Sequence, residues 1–397
     1  KYMSNTKSFE ILQPQDWSFP VPIFYGPGRL MEIGEKCQGL GIKNPLIVTD
    51  SGSFRLPFID KLKNYLGKAE IAFDLFHDIS PNPRDDEITA GCNKYENGGH
   101  DSVIAIGGGS AMDGGKAICL TFGNNLKLWD FEYRLNPPDM SGKKPFPKLI
   151  TIPTTAGTGA ETESTAMITN VEKGMKFCIW HPELKPALTL LDPLLTVGLP
   201  THLTAWTGAD ALTHAIVAYI VPDFNPLCDG MALEGLALIN QWLSVAVQEP
   251  ENVAARGGML VGSCLSGIAF LKGLGLVHAM SHMIGAEFNT QHGLTNAIIL
   301  PVVLRFNLPH IGHKVKRMAE AMNLSDCSAQ GVIAHVEEMF DKIDIPSSLA
   351  DLDIPIDCVQ RIAEKAIQDS AAETNPRPAT VSEIKNLLEI SISQARS

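Results

Sequence analysis

The 397-residue chain lacks the features that mark several protein classes. Its eight cysteines are scattered without a C-x-x-C pair, and no cluster of five or more basic residues occurs among 32 Lys and Arg against 44 Asp and Glu. We therefore expect no zinc ribbon, no disulfide framework, and neither nucleic acid nor an anionic membrane as a partner. Scattered cysteines are typical of reduced thiols, which predicts a cytoplasmic protein.

Long apolar runs are also missing. The N-terminal segment KYMSNTKSFE has no apolar stretch of the signal-peptide kind, and no 18 consecutive residues are uniformly apolar, so we expect neither a signal peptide nor a membrane span. Hydrophobic residues make up 45% and charged residues 19% of the chain, which is typical of an ordered globular protein. The length is sufficient for two domains.

The first half of the chain alternates short apolar segments with helical patterns, whereas strand signals stop near Leu199. Because the strand segments are continuously apolar, they predict a parallel sheet covered by helices on both faces. We place the boundary in the VGLPT segment, which gives an α/β domain over 1–198 and an all-helical domain over 199–397. The predicted strands are 44–50, 69–76, 101–108, 147–155 and 186–193.

A histidine-rich segment, GLGLVHAMSHMIGAEFNTQHG, lies in the helical half. His278 and His282 are four residues apart on an apolar run that predicts a helix, and His292 follows ten residues after His282. Residues at i and i+4 share one helix face, which is a common way to direct two ligands at one ion. Each histidine taken alone is more simply explained as a surface or core residue.

A second segment, AWTGADALTHAIVAYI, carries Asp210 and His214 at the same spacing. Asp210 has an alternative explanation, since Thr207 and Asp210 also fit a helix-capping box. Two such pairs on otherwise apolar segments nevertheless favour a divalent-metal site over coincidence, because buried ionisable groups need partners. One carboxylate with three or four imidazoles would suit Fe²⁺, Zn²⁺, Co²⁺ or Mn²⁺.

The segment DSVIAIGGGSAMDGGKAICL predicts a strand, three glycines and a helix. Glycines at such a turn allow backbone N–H groups to approach a phosphate at the helix N-terminus. Met112 occupies the third glycine position of the G-x-G-x-x-G pattern, and Ser110 with Asp113 could instead form a capping box. This segment alone is therefore compatible with a phosphate-binding loop and with a capped helix.

A second loop, LITIPTTAGTGAETES, offers three hydroxyls for a phosphate or ribose, at Thr154, Thr155 and Thr158, although a simple turn is an alternative. Asp50 ends the first strand of the α/β domain. Its carboxylate could accept from ribose hydroxyls and would repel a 2′-phosphate, which favours NAD over NADP, unless it is only a solvated turn residue. A Lewis-acid metal beside a dinucleotide domain suggests hydride transfer between an alcohol and NAD.

These segments, together with the late NPRPAT, resemble the motifs of the iron-containing (group III) alcohol dehydrogenases from about Phe24 to the C-terminus. The resemblance implies a dehydroquinate synthase-like architecture, with a Rossmann-like domain, a helical domain and an active site in the cleft between them. It also implies a homodimer or larger homo-oligomer. Ala111 and Gln291 depart from the pattern, since proline is frequent at both positions in the family.

The resemblance further implies a role for each motif residue. Asp210, His214, His278 and His292 would hold Fe²⁺, and His282 would lie beside the metal in a proton relay. The residues implied around NAD are Asp50, Asn82, Gly107, Gly108, Gly109, Ser110, Thr154, Thr155, Thr158 and Lys176.

We therefore predict an NAD(H)-dependent, metal-activated dehydrogenase that interconverts a small primary alcohol or diol and its aldehyde. A hydroxyacid–oxoacid transhydrogenase or a glycerol dehydrogenase-like enzyme is an alternative on the same scaffold. A lyase of the dehydroquinate synthase type would need several basic residues for a phosphorylated substrate, and the segments near the metal motif contain only Lys272. The full ligand set disfavours a non-catalytic structural protein.

Overall fold

A computed structural model describes residues 12, 15–17, 21–122 and 126–393. The N-terminal segment considered above for a signal peptide, residues 1–10, lies outside this range. The chain forms two compact units, one of residues 1–155 and 160–198 and the other of residues 156–159 and 199–397.

The first unit contains a seven-stranded sheet. Its strands are β1 Gln15–Trp17, β2 Ile23–Tyr25, β3 Pro45–Val48, β4 Asp74–Phe76, β5 Ser102–Gly107, β6 Lys148–Pro153 and β9 Leu188–Leu191. Their order across the sheet is β1-β2-β9-β6-β5-β3-β4, and only the β1–β2 pair is antiparallel. The helices are α1 Ile33–Gly39, α2 Pro57–Lys68, α3 Asp85–Asn97 and α4 Gly109–Thr121. The predicted fold class is confirmed.

Alternate residues of the central strands serve two cores, one on each face of the sheet. On β5, Val103 and Ala105 pack in the cluster that includes α3 and α4, whereas Ile104 and Ile106 pack in the cluster that includes α1 and α2. A strand buried on both faces needs apolar residues at every position, which explains the continuous runs in the sequence.

Four strands of this unit were not predicted from the sequence. Strands β1 and β2 have only three residues each, which is too short for a periodicity to show. The other two, β7 Thr165–Asn170 and β8 Met175–Trp180, form an antiparallel hairpin outside the main sheet. Between them the chain turns through Gly174, whose φ of 56° lies in the left-handed region.

A fully buried lysine on α4 supports the loop that follows β6. The Lys116 side chain has 0% exposure, and its Nζ donates to the carbonyls of Ala160 and Thr165. These carbonyls flank Glu163, whose side chain is also buried. Burial lowers the pKa of Lys116, and burial raises the pKa of Glu163 to about 8.

The second unit is built around one buried helix. Helix α5, Thr201–Ile220, packs against α6 Pro226–Gln248, α7 Val253–Ala269 and α9 His292–Ala321. Nearly all of its residues from Thr204 onward are buried, so a polar residue on α5 lies in the interior whichever way it points. The remaining helices are α8 Gly275–Phe288, α10 Ala329–Lys342, α11 Val359–Ala366 and α12 Val381–Ser393.

By length and composition alone, three apolar segments among the described residues could cross a membrane: Pro226–Gln248, Val253–Lys272 and His292–Ala321. In each segment, between 50% and 72% of the apolar 18-residue stretch is buried inside the protein. Their apolar surface is therefore largely used in helix–helix packing within the unit. The absence of a membrane span was predicted from the lack of uniformly apolar runs, and it stays a prediction.

We predict that Glu163→Gln flattens the pH dependence of stability. A carboxyl whose pKa rises from 4.5 to about 8 on folding stabilises the fold fully below pH 4.5, and this contribution is lost as pH rises toward 8. The wild-type unfolding free energy should fall by up to roughly 1.4 kcal/mol per pH unit across this interval from Glu163 alone. Urea titrations between pH 5 and pH 8 measure the slope. Glu172→Gln, at an exposed position of the same unit, is the control, and an unchanged slope in Glu163→Gln would contradict the assignment.

Candidate active site

Helix α5 carries the first two site residues on one buried face. The His214 Nε2 lies 3.4 Å from Asp210 Oδ1, and both side chains are at most 3% exposed. The other ring nitrogen, Nδ1, lies 3.2 Å from the carbonyl oxygen of Gly157. Because a carbonyl only accepts, Nδ1 carries the proton, and Nε2 presents its lone pair beside Asp210.

Two further imidazoles reach the same point from other helices. His278 lies on α8, and its ring is stacked on His214 with centroids 4.8 Å apart. His292 is the first residue of α9, and its ring centroid is 5.3 Å from that of His278. One donor atom from each of Asp210, His214, His278 and His292 lies within 4.8 Å of the other three.

The amide of Asn296 joins this cluster one turn after His292. Its Nδ2 is 2.8 Å from Asp210 Oδ1 and 3.0 Å from the Nε2 atoms of both His278 and His292. Its Oδ1 is buried and has no hydrogen-bond partner among the residues that the structure describes. Acceptor atoms from three helices therefore face a common centre.

The cluster has the chemistry of a divalent-cation site. Burial lowers the pKa of His214, and burial together with the neighbouring imidazoles lowers the pKa of His278 well below 6.5. Neutral imidazoles have the free lone pairs that a cation requires. One carboxylate and three nitrogen donors, with no thiolate, fit Fe²⁺ and the other metals named above.

His282 lies next to this cluster, but its Nδ1 nitrogen is directed toward another residue. The ring is parallel to that of His292 at 5.5 Å, whereas Nδ1 is 2.8 Å from Asp369 Oδ2. The i, i+4 spacing of His278 and His282 is compatible with His282 as a fourth imidazole ligand. Only the family resemblance implied that His282 is not a ligand. The structure brings His282 beside the four donor residues without placing it among them.

A short segment after α11 binds the start of helix α8. The Thr374 hydroxyl accepts from the backbone N–H groups of Leu274 and Gly275, and Asn375 Oδ1 accepts from that of Leu276. Asn375 also exchanges side-chain hydrogen bonds with Asn307 of α9, at 3.2 and 2.7 Å. The segment therefore connects the helix of His278 to the helix of His292.

The first unit brings other motif residues together at the carboxyl edge of its sheet. Strands β3, β5 and β6 are neighbours, so their carboxyl ends lie side by side. A Cβ on Gly107 would lie 2.8 Å from Asp50 Oδ2, and one on Gly108 would lie 3.6 Å from the Thr155 methyl group. The Thr154 N–H donates to the Gly107 carbonyl. Ligands of open α/β sheets bind at this edge.

The glycine loop opens α4 without a side-chain cap. The N-cap is Gly108, so Ser110 is the second residue of the helix and the proposed capping box does not form. Gly115 lies one turn after Met112, and a Cβ there would come within 2.8 Å of Ala105 on β5. Gly115 thus permits the close packing of helix on strand that the missing third glycine would allow.

The capping explanation for Asp210 is also wrong. Thr207 lies in the interior of α5, and its hydroxyl donates to the Leu203 carbonyl, one turn earlier. Of the remaining predicted nucleotide contacts, Lys176 on β8 donates to Asn82 Oδ1 at 2.8 Å, and both are buried. Thr158 belongs to the 156–159 segment, which is part of the helical unit.

Comparison with known proteins matches both halves of the chain to one family. The iron-containing alcohol dehydrogenase pattern matches residues 20–193, and the C-terminal pattern of the Fe-containing alcohol dehydrogenase family matches residues 204–392. The chain belongs to the iron-containing alcohol dehydrogenase family. It is therefore an oxidoreductase, as the motifs predicted.

Individual members of the iron-containing alcohol dehydrogenase family align along nearly their whole length. The chain is 36% identical to 1,3-propanediol dehydrogenase of Klebsiella pneumoniae, over 93% of this chain and 96% of that protein. It is 33% identical to NAD-dependent methanol dehydrogenase of Bacillus methanolicus, over 93% and 98%. A crystal structure of a 1,3-propanediol oxidoreductase superposes with a TM-score of 0.88 at 36% identity, covering 93% and 97%.

One departure from the family pattern has a local structural effect. Gln291, where proline is frequent, is the N-cap of α9, and its side chain accepts from the Leu294 N–H at 2.6 Å. Asn296 and Asp369 were not predicted from the sequence. The i, i+4 spacing from His292 to Asn296 was a usable signal, whereas Asp369 is distant in sequence and carries none.

We predict that Gly293→Ala disrupts the cluster. A Cβ at Gly293 would lie 2.5 Å from the Trp206 carbonyl oxygen and 2.7 Å from Asp210 Cβ, so the start of α9 would have to move away from α5. Bound metal per chain should fall at least about 10-fold, since groups that only orient ligands contribute roughly 10- to 100-fold in affinity.

The matched control is Gly312→Ala on the same helix, where a Cβ meets nothing within 4 Å. This change should leave metal content unaltered and stabilise the protein by roughly 0.5–1 kcal/mol, because alanine favours a helix over glycine. Equal metal content in Gly293→Ala and the wild type would contradict the proposed close approach.

Proposed function

We propose that the chain is an NAD(H)-dependent, divalent-metal-activated dehydrogenase that interconverts a small primary alcohol or diol and its aldehyde. The observation that carries this proposal is the buried convergence of Asp210, His214, His278 and His292 in a member of the iron-containing alcohol dehydrogenase family. Two relatives, a 1,3-propanediol dehydrogenase and an NAD-dependent methanol dehydrogenase, support the substrate class and the cofactor.

The four donor residues would hold the cation, and we propose Fe²⁺ because of the family. One carboxylate and three neutral imidazoles leave a divalent centre with a net charge of about +1. When bound, the cation supplies a Lewis acid that lowers the pKa of the alcohol hydroxyl, and the nicotinamide supplies the acceptor for the hydride. Phe270, whose ring lies edge-on to His214 at 5.1 Å, provides an apolar wall beside these donors.

Oxidation of a primary alcohol releases a hydride and a proton, so the chain needs a group that takes the proton. We assign this role to His282, because its ring adjoins His278 and His292 and its Nδ1 faces Asp369. The remaining nitrogen, Nε2, is the atom that takes the hydroxyl proton in oxidation and returns it in aldehyde reduction.

The carboxyl edge of the sheet would receive the dinucleotide. The uncapped N-terminus of α4 offers backbone N–H groups to the pyrophosphate, with Gly107–Ser110 on one side and Thr154 and Thr155 on the other. Asp50 is held beside Gly107 by bonds from the Gly52 N–H and the Ser53 hydroxyl, and its carboxylate would bind the ribose.

We also propose a cytoplasmic homodimer or larger homo-oligomer. The scattered free cysteines support the compartment, and the family resemblance supports the assembly. Light scattering on the purified protein measures the oligomeric state, and a monomer at micromolar concentration would contradict the second part of this proposal.

Replacement of His278 by alanine should lower metal content and NAD⁺-linked alcohol oxidation together. We expect more than about a 100-fold loss of turnover, since even groups behind the ligands contribute roughly 10- to 100-fold. Metal is quantified by elemental analysis and turnover by NADH absorbance over a panel of short alcohols and diols. His313→Ala, at an exposed position of α9, is the control for loss of an imidazole. Full activity of a metal-free preparation would reject the mechanism.

Asp50→Asn should weaken the preference for NAD over NADP. The asparagine side chain keeps one oxygen that can accept from the Gly52 N–H or the Ser53 hydroxyl. It lacks the negative charge that repels a 2′-phosphate. The ratio of kcat/KM for NADP to that for NAD should rise by about 10-fold or more. Asp60→Asn, an exposed change on α2, controls for the altered net charge. An unchanged ratio would place the ribose away from Asp50.

A further inference from the structure

A buried hydrogen bond joins His282 to a carboxylate 87 positions later in the chain. His282 Nδ1 lies 2.8 Å from Asp369 Oδ2, and both side chains are at most 4% exposed. The second carboxylate oxygen of Asp369, Oδ1, accepts from the Ala371 N–H at 2.8 Å. Both oxygens therefore have a partner, and the backbone fixes the position of the carboxylate.

We propose that Asp369 is a positioning residue that keeps the proton of His282 on Nδ1, so that Nε2 is the nitrogen that exchanges a proton with the alcohol. The inference rests on the proposed function for the identity of the substrate. Because a carboxylate only accepts, the nitrogen next to it must donate. In a neutral imidazole the other nitrogen then has the lone pair, which is the form that a general base requires.

The packing around His282 explains why a second group is needed to orient it. Its ring stacks on His292 at an interplanar angle of 10° and meets His278 edge-on at 65°. Stacking fixes the plane of an imidazole but not which of its nitrogens faces a given side, since a rotation of the ring by 180° preserves the plane. The hydrogen bond to Asp369 selects one of the two orientations.

Asp369 is well placed for this task because its segment is joined to the same helix at a second point. Thr374 and Asn375 bind the N–H groups at the start of α8, and Asp369 holds His282 two turns further along. The Asp369 carbonyl accepts from the Ala372 N–H and the Ala371 carbonyl accepts from the Thr374 N–H, so two successive tight turns link the two contact points. The hydrogen bonds from Thr374 and Asn375 fix the axial position of α8, and the hydrogen bond from Asp369 fixes the rotation of the helix at His282.

The test begins with the wild-type enzyme loaded with zinc, which is diamagnetic. With ¹⁵N-labelled histidine, the ring nitrogen shifts report which nitrogen carries the proton, and His282→Ala assigns the signals. We expect the proton on Nδ1. A proton on Nε2 in the wild type would overturn the proposal without recourse to any variant at Asp369.

Asp369→Asn then tests the consequence for catalysis. An amide has a single accepting oxygen, whereas Oδ1 and Oδ2 of Asp369 both accept in the wild type. If the amide oxygen stays with the Ala371 N–H, the NH₂ group faces His282 and reverses its tautomer. We expect kcat to fall by about 10- to 1,000-fold with KM for the alcohol and metal content little changed, as expected for a misplaced tautomer behind a catalytic histidine.

A double-variant cycle separates positioning from general destabilisation. In the His282→Ala background, Asp369→Asn should have no further effect on residual turnover, because the group through which it acts is already gone. The same fold-loss in both backgrounds would overturn the proposal. Asp353→Asn, at an exposed position of the same unit, controls for the loss of one carboxylate and should leave kcat unchanged.

Failure of this inference is distinguishable from failure of the proposed function. If the wild type oxidises no alcohol with NAD⁺, the proposed function fails, and the ring shifts of His282 in the wild type and in Asp369→Asn still decide the tautomer. If the wild type is active and Asp369→Asn retains both its tautomer and its kcat, only the role of Asp369 is rejected.

Discussion

The burial of Asp210 is the constraint on which the rest of the helical unit depends. An ionised carboxylate removed from water costs several kcal/mol unless partners offset the loss. The partners here come from the same helix, from α8 and from the start of α9, so three helices must meet at one point. Their backbones can approach closely enough only where side chains are missing. Gly293 contacts α5 beside Asp210, and Gly157 contacts α5 beside Thr207. The Gly157 carbonyl also accepts a hydrogen bond from His214 Nδ1.

A second layer of contacts makes this meeting point rigid. The donor residues lie on helices that are themselves fixed by side-chain amides and hydroxyls, of which Thr374, Asn375 and Asn307 are the clearest. Such contacts add little apolar area, but they restrict the helices to one axial position and one rotation. A catalytic group is effective only when it is held within a fraction of an ångström of its productive place, which is why polar contacts are concentrated around α8.

The sequence predicted the fold class and the family because both depend on local patterns. Continuous apolar strands and two i, i+4 pairs require only the geometry of one element, and the four donor residues do come together, although their roles stay predictions. The hairpin β7–β8 and the partner of His282 were not predictable in this way. Asp369 becomes a neighbour of His282 only through tertiary packing, and no spacing rule connects residues 87 positions apart. Asn296 could have been predicted, because it follows His292 at the same i, i+4 spacing that indicated the histidine pairs.

The short 156–159 segment has a consequence for how the chain can be divided. It belongs to the helical unit although it lies between strands β6 and β7 of the other unit, so the polypeptide enters the helical unit, leaves it and returns at Leu199. Cutting the gene between residues 198 and 199 would leave Gly157 on the wrong fragment and deprive His214 of its carbonyl partner. The two halves are therefore not modules that recombination could exchange freely. A functional helical half has to be inherited together with four residues of the sheet-bearing half.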